Sequence, residues 1–108
     1  MTFVGQGGFD CYVGKDYDSL QFFDSSRFNI GQFEYEYTFF KELNKENRLV
    51  VLNFPLYGCV DKLEIAVDKD AYIKVPSEDL SLNNKIVYYG TSITQGGCAS
   101  RPGLCYTN

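Results

Sequence analysis

The sequence predicts a mainly β chain. An antiparallel β-sandwich or jelly-roll-like domain is expected over residues 1–76, a linker over 77–84, and the first strand and first-helix start of a truncated α/β domain over 85–108. Three observations predict this. Apolar and polar residues alternate in short runs before Pro76, with polar turns between them. After Pro76 the alternation gives way to a continuous apolar run, Ile86–Tyr89, of the kind buried on both faces of a parallel sheet. That run leads into Gly90-Thr-Ser-Ile-Thr-Gln-Gly-Gly97, a turn placed where open α/β sheets carry their chemistry.

Taken in order, Phe9, Cys11 and Val13 alternate with Asp10 and Tyr12, and Gly14–Asp18 breaks the run. Leu20–Phe23 is a second short strand. Phe33, Tyr35, Tyr37 and Phe39 alternate with Glu34, Glu36 and Thr38, which predicts a strand with the four aromatic rings on one buried face. Lys41–Asn47 is a polar turn, and Leu49–Phe54 is an apolar strand closed by Pro55. Leu63, Ile65 and Val67 alternate with Glu64 and Ala66; Asp68–Asp70 then turns the chain into Ala71–Val75. Six short strands at this spacing suit a sandwich. The aromatic stripe reads as core packing, with a sugar-binding platform as the alternative. Near the end, Ser100 is the expected N-cap of a helix with Pro102 in its first turn. A lone parallel strand and the beginning of a helix leave two apolar faces uncovered, so the 108 residues read as a fragment whose strand 86–89 offers an edge for self-association.

Composition narrows the function. Aromatics make up 17% of the chain, enough for a core. The net charge is −4 and no Lys/Arg cluster stands out, so neither nucleic acid nor an anionic membrane is an expected partner. No apolar run approaches the roughly 20 residues of a membrane span. Met1–Gly8 lacks the features of a signal peptide; the expected compartment is the cytoplasm, or the exterior if a leader precedes Met1. Cys11, Cys59, Cys98 and Cys105 form no C-x-x-C pair, so no metal site or cofactor is expected. Reduced, mostly buried thiols are the reading, with two disulfides as the alternative. Cys98 as a nucleophile has only Arg101 nearby to activate it. Glu34 with Glu36, and Asp68 with Asp70, read as solvated edge charges.

The chemistry-bearing candidate is Gly90-x-Ser92, after the apolar run. It lacks the second glycine of the G-x-S-x-G elbow, with Thr94 there instead. Gly90, Thr91, Thr94 and Gly96 are expected to shape and support the turn, as is Gln95. Arg101 reads as a solvated residue near a helix start. The chain has no histidine, so it cannot by itself complete a Ser-His-Asp site.

The string Tyr89-Gly-Thr-Ser-Ile-Thr-Gln-Gly-Gly-Cys-Ala-Ser-Arg-Pro-Gly103, continuing to Asn108, resembles the first block of SGNH-type hydrolases. It is most similar to the subgroup in which Gly-Thr-Ser replaces Gly-Asp-Ser. Gly8-Phe9-Asp10-Cys11-Tyr12 resembles the Gly-x-Asp-Leu-Tyr motif of the β-sandwich preceding the catalytic domain in one SGNH subfamily, with Cys11 in place of Leu. Phe54–Gly58 and Leu63–Asp68 resemble that domain's later strands. The resemblance implies that Ser92 is the nucleophile and its backbone N–H an oxyanion donor. It also implies a small ester or acylated carbohydrate as substrate. The family's Gly, Asn and Asp-x-x-His blocks find no match up to Asn108, so the chain is expected to be inactive alone. The alternative is a stand-alone β-sandwich that binds carbohydrate or protein, with 77–108 as a tail.

Overall fold

Three of the expected strands form, and they form one sheet. The computed structural model describes residues 2–41, 44–76, 86–105 and 107; the expected linker at 77–84 lies outside the described residues. Strands β1 (Asp10–Gly14), β2 (Gln21–Ser25) and β3 (Leu49–Asn53) pair antiparallel in the order β2-β1-β3. Helices α1 (Phe3–Gly7) and α2 (Ser92–Gln95) and a 3-10 turn at Pro102–Leu104 complete the regular structure. The described residues are therefore mainly β.

The central strand β1 sets the register. Against β3 it pairs Asp10 with Asn53, Tyr12 with Val51 and Gly14 with Leu49. Against β2 it pairs Cys11 with Asp24 but Tyr12 with Phe22, so Phe23 bulges out of the ladder. Between β1 and β2 the Ser19 hydroxyl accepts from the Lys15 and Asp16 N–H groups, and the Ser19 N–H donates to the Asp16 carboxylate, closing the turn locally. The core is small: Phe9, Cys11, Pro102 and Cys105 are buried apolar residues among those described, and Phe9 meets Phe54 edge-on at 5.1 Å.

One partly buried relay ties the start of the chain to the sheet. Ser26 Oγ accepts from the Phe9 N–H at 2.8 Å and meets Tyr35 Oη at 3.0 Å, and the Tyr35 hydroxyl donates to the Gly7 carbonyl. Tyr35 also stacks on Phe28 at 5.1 Å, while Tyr37 donates to Asp24 and meets Phe39 edge-on. The Asp24 carboxylate that accepts this hydrogen bond raises the Tyr37 phenol above its ordinary value.

Several expectations are corrected. Residues 33–39, 63–67, 71–75 and 86–89 are not strands. A period of two sorts side chains between faces, but a strand also needs a neighbour for its backbone groups, and among the described residues none pairs with these segments. The second sheet of a sandwich is accordingly not among the described residues. In the aromatic run Tyr35, Tyr37 and Phe39 are half-buried while Phe33 is fully exposed, so the four do not share a buried face. Ile86, Val87 and Tyr89 are exposed too. Helix α1 was not expected; Thr2 caps it, its hydroxyl accepting from the Gly5 N–H at 3.3 Å.

All four cysteines are free, with Cys11 and Cys105 buried and Cys59 and Cys98 exposed. Burial first, then the neighbouring Asp10 and Asp24 charges, push the Cys11 thiol up to about 11. Only the thiolate attacks an alkylating agent. Iodoacetamide at pH 8 should therefore add quickly to two thiols, Cys59 and Cys98, with Cys11 last. Peptide mapping that finds Cys11 among the fast sites would contradict the fold around it.

Candidate active site

Ser92 is the first residue of α2 and is exposed. Thr91 precedes it in an extended conformation and caps the helix without a side-chain bond. Among the described residues neither the Ser92 hydroxyl nor its N–H has a hydrogen-bond partner, as befits the first turn of a helix. Its carbonyl, by contrast, is well held: the Gly97 N–H and the Tyr57 hydroxyl both donate to it at 2.7 Å, and the Gly96 N–H is shared between it and the Ile93 carbonyl. The serine is thus fixed by its backbone and lines an open depression. Tyr88, Gly90, Thr91, Ser92, Thr94, Gln95 and Thr107 line that depression, and none of them is charged.

The turn residues divide by what they touch. A side chain on Gly90 would fall on Thr94, so the small residue at 90 and the threonine at 94 fit together. Gln95 Nε2 donates to the Leu56 carbonyl at 2.8 Å, and Gln95 N–H to the Thr91 carbonyl at 3.1 Å. Gly96 ends α2 in the left-handed region, at φ +104°, and a Cβ there would stand 2.8 Å from both Cys105 Cβ and Leu56 Cδ1. Cys98 also takes a positive φ, 66°, in the following turn.

Two supports reach this turn from far along the chain. The loop after β3 carries Leu56 and Tyr57, whose N–H groups both donate to the Gly5 carbonyl, and Thr2 Oγ1 donates to the Ala99 carbonyl at 3.2 Å. Sequence reasoning missed Tyr57; its string Phe54–Gly58 was noticed only as a strand. The second support is the sheet face carrying Asp10 and Tyr12, onto which residues 101–105 pack. Asp10 is wholly buried, and its Oδ2 accepts from the Gly103 N–H at 2.7 Å. The Arg101 guanidinium lies 3.9 Å from the Phe22 ring centroid, and Nη2 donates to the Tyr12 hydroxyl at 3.3 Å. Arg101 Nε is 3.9 Å from Asp10 Oδ2; this nitrogen and Asp10 Oδ1 are buried without a hydrogen bond among the described residues.

Arg101 is therefore not the solvated residue expected; its aromatic bed and Asp10 draw it in. Arg101, not Ser100, is also the residue that caps the 3-10 turn, with Pro102 at its start as anticipated. No group of three or more potential metal ligands occurs among the described residues, and none of their helices is long and apolar enough to cross a membrane.

Gly96→Ala combines a left-handed backbone with two close contacts. Each effect separately costs about 1–3 kcal/mol, so a loss of about 2–4 kcal/mol in urea unfolding is expected. A neutral substitution would mean that Gly96 is not held as described.

Comparison with known families comes to the same two segments. Residues 1–73 match the family model of the GxDLY N-terminus of SGNH-hydrolase-type esterases. Residues 83–108 match that of the GDSL-like lipase/acylhydrolase family. No curated protein and no solved structure shows a significant match to the chain.

Proposed function

The chain belongs to the SGNH-type esterases, and from that membership we propose that it contributes Ser92 as the nucleophile of an ester-hydrolysing site. The observation that carries the reading is one coincidence. The segment matching the GDSL-like acylhydrolases contains a serine whose backbone is clamped and whose hydroxyl and N–H are left for a substrate.

The chemistry follows from those groups. Ser92 Oγ attacks the ester carbonyl carbon while its proton passes to a base; the carbonyl oxygen gathers negative charge beside the Ser92 N–H. The tetrahedral species expels the alcohol, which takes the proton from the base, and leaves an acyl-serine. Water, deprotonated by the same base, then releases the acid and restores Ser92. The base is a histidine supplied from outside these 108 residues, because they contain none. The uncharged, hydroxyl- and amide-bearing lining supports a neutral ester, an acyl ester or an acylated carbohydrate.

A covalent trap tests this. A fluorophosphonate should label Ser92 when the chain is fused to, or mixed with, a histidine-bearing SGNH segment, and should leave the chain alone unlabelled. Labelling at another residue, or labelling that survives Ser92→Ala, overturns the assignment.

A further inference from the structure

We propose that Asp10 is a positioning residue for Ser92: from the central strand it holds the segment whose Cys105 seats the Gly96 corner. That corner in turn holds the Ser92 carbonyl. The inference rests on the reading of Ser92 above for what is positioned; the linkage itself is geometric.

The links are continuous. β1 has a partner on each side, pairing Asp10 with Ser25 and with Asn53, so the backbone beneath its carboxylate is fixed. Oδ2 holds the Gly103 N–H at 2.7 Å. Gly103 sits close against the sheet, where a Cβ on it would stand 2.7 Å from the Tyr12 ring and 2.8 Å from the Asn53 amide. The turn then closes through the Cys105 N–H to the Pro102 carbonyl, and Cys105 packs on Gly96. The Gly96 N–H donates to the Ile93 carbonyl at 3.0 Å and the Gly97 N–H to the Ser92 carbonyl at 2.7 Å.

Burying a carboxylate is a poor way to gain stability, because desolvation offsets most of the attraction to its partner. Here the partners of that buried carboxylate among the described residues, the Gly103 N–H and the Arg101 guanidinium, lie in residues 101–103. What Asp10 provides is a fixed docking position for that segment, and through it for the serine turn. The Tyr57 hydroxyl is a separate clamp on the same carbonyl, from a different loop.

The test is site-resolved amide exchange on the 108-residue chain. Asp10→Asn preserves shape and an acceptor oxygen but removes the charge that strengthens the bond to Gly103. Exchange at Gly103 and Gly97 should rise about tenfold, while Gly8 and Ser26, bonded elsewhere, stay within about twofold. Acceleration at all four amides is a general loss of stability and overturns the proposal, as does acceleration at Gly103 alone. Should Asp10→Asn fail to fold, the unmutated chain decides: with rising urea, Gly97 and Gly103 should open as one unit, and separate openings overturn it. In the esterase completed by a histidine-bearing segment, the same variant should lower kcat about tenfold with KM nearly constant; an unchanged kcat overturns it. If completion yields no Ser92-dependent turnover at all, the functional reading falls, and exchange still decides the linkage.

Discussion

Ser92→Ala should reduce ester turnover by the completed enzyme by a factor on the order of 10⁶ in kcat, the loss seen when a serine hydrolase is stripped of its nucleophile. The size follows from chemistry. Without the hydroxyl no acyl-serine forms, and what remains is transition-state binding by the oxyanion donors. The 108-residue chain alone should hydrolyse p-nitrophenyl acetate no faster than its own Ser92→Ala variant, because an unassisted hydroxyl is a weak nucleophile near neutral pH. A tenfold excess of the unmutated chain over that control would show that a base exists among these residues after all. Activity of the completed enzyme that ignores Ser92 would remove the serine from the mechanism.

Asp10→Ala should have an effect on stability as large as that of Gly96→Ala. It leaves the Gly103 N–H without its acceptor, worth about 1–3 kcal/mol for a buried group. It also leaves the Arg101 guanidinium facing no charge; breaking a buried pair costs about 3–5 kcal/mol. At 3.9 Å, and with about a quarter of the Arg101 side chain exposed, that second contribution falls well below its range. A combined loss of about 3 kcal/mol is expected, a large share of the roughly 5–15 kcal/mol that holds a domain of this size together. Urea unfolding should show it as a lower midpoint at unchanged slope. The double variant Asp10→Ala/Arg101→Met should lose less than the two single losses added, since an uncharged partner no longer strands a charge. A loss below about 1 kcal/mol for Asp10→Ala would mean that residues 101–105 do not depend on this carboxylate.

The sequence was informative where structure is local. β1, β2 and β3 fall within a residue or two of the alternating or apolar runs that announced them, and Pro102 opens the turn its fixed φ suits. Helix α1 escaped because Gly5 and Gly7 dilute its helical signal to a single capping threonine. The run 33–39 misled because alternation specifies faces and is silent on partners. Asp10 shows the limit most clearly. Alternation puts it with Tyr12 on the face opposite Phe9 and Cys11, where solvent is the ordinary expectation, yet that face is covered by residues 101–105. Nothing within a window of ten residues announces a cover drawn from so far along the chain. The position of Ser92 at the turn was legible from its glycine-rich string; the Tyr57 clamp, 35 residues away, was not.

The hydrogen bonds that join Thr2 to Ala99 and Asp10 to Gly103 span 97 and 93 residues. Closing a loop of that length costs about 4 kcal/mol in chain entropy by the logarithmic rule, before any contact within it is counted. Such contacts slow folding, because the entropy is lost before the bonds that reward it exist. On the ribosome the consequence is an order of events. β1, β2, β3 and the Tyr57 loop emerge first and can assemble on their own timetable, and the serine turn can meet that loop as it emerges, whereas its second support is missing until residue 103 has been synthesised and has found Asp10. During that interval Asp10, Tyr12 and Phe22 are without the cover of residues 101–105, and this half-built face is a place where a chaperone would be expected to bind and where premature association between nascent chains could begin.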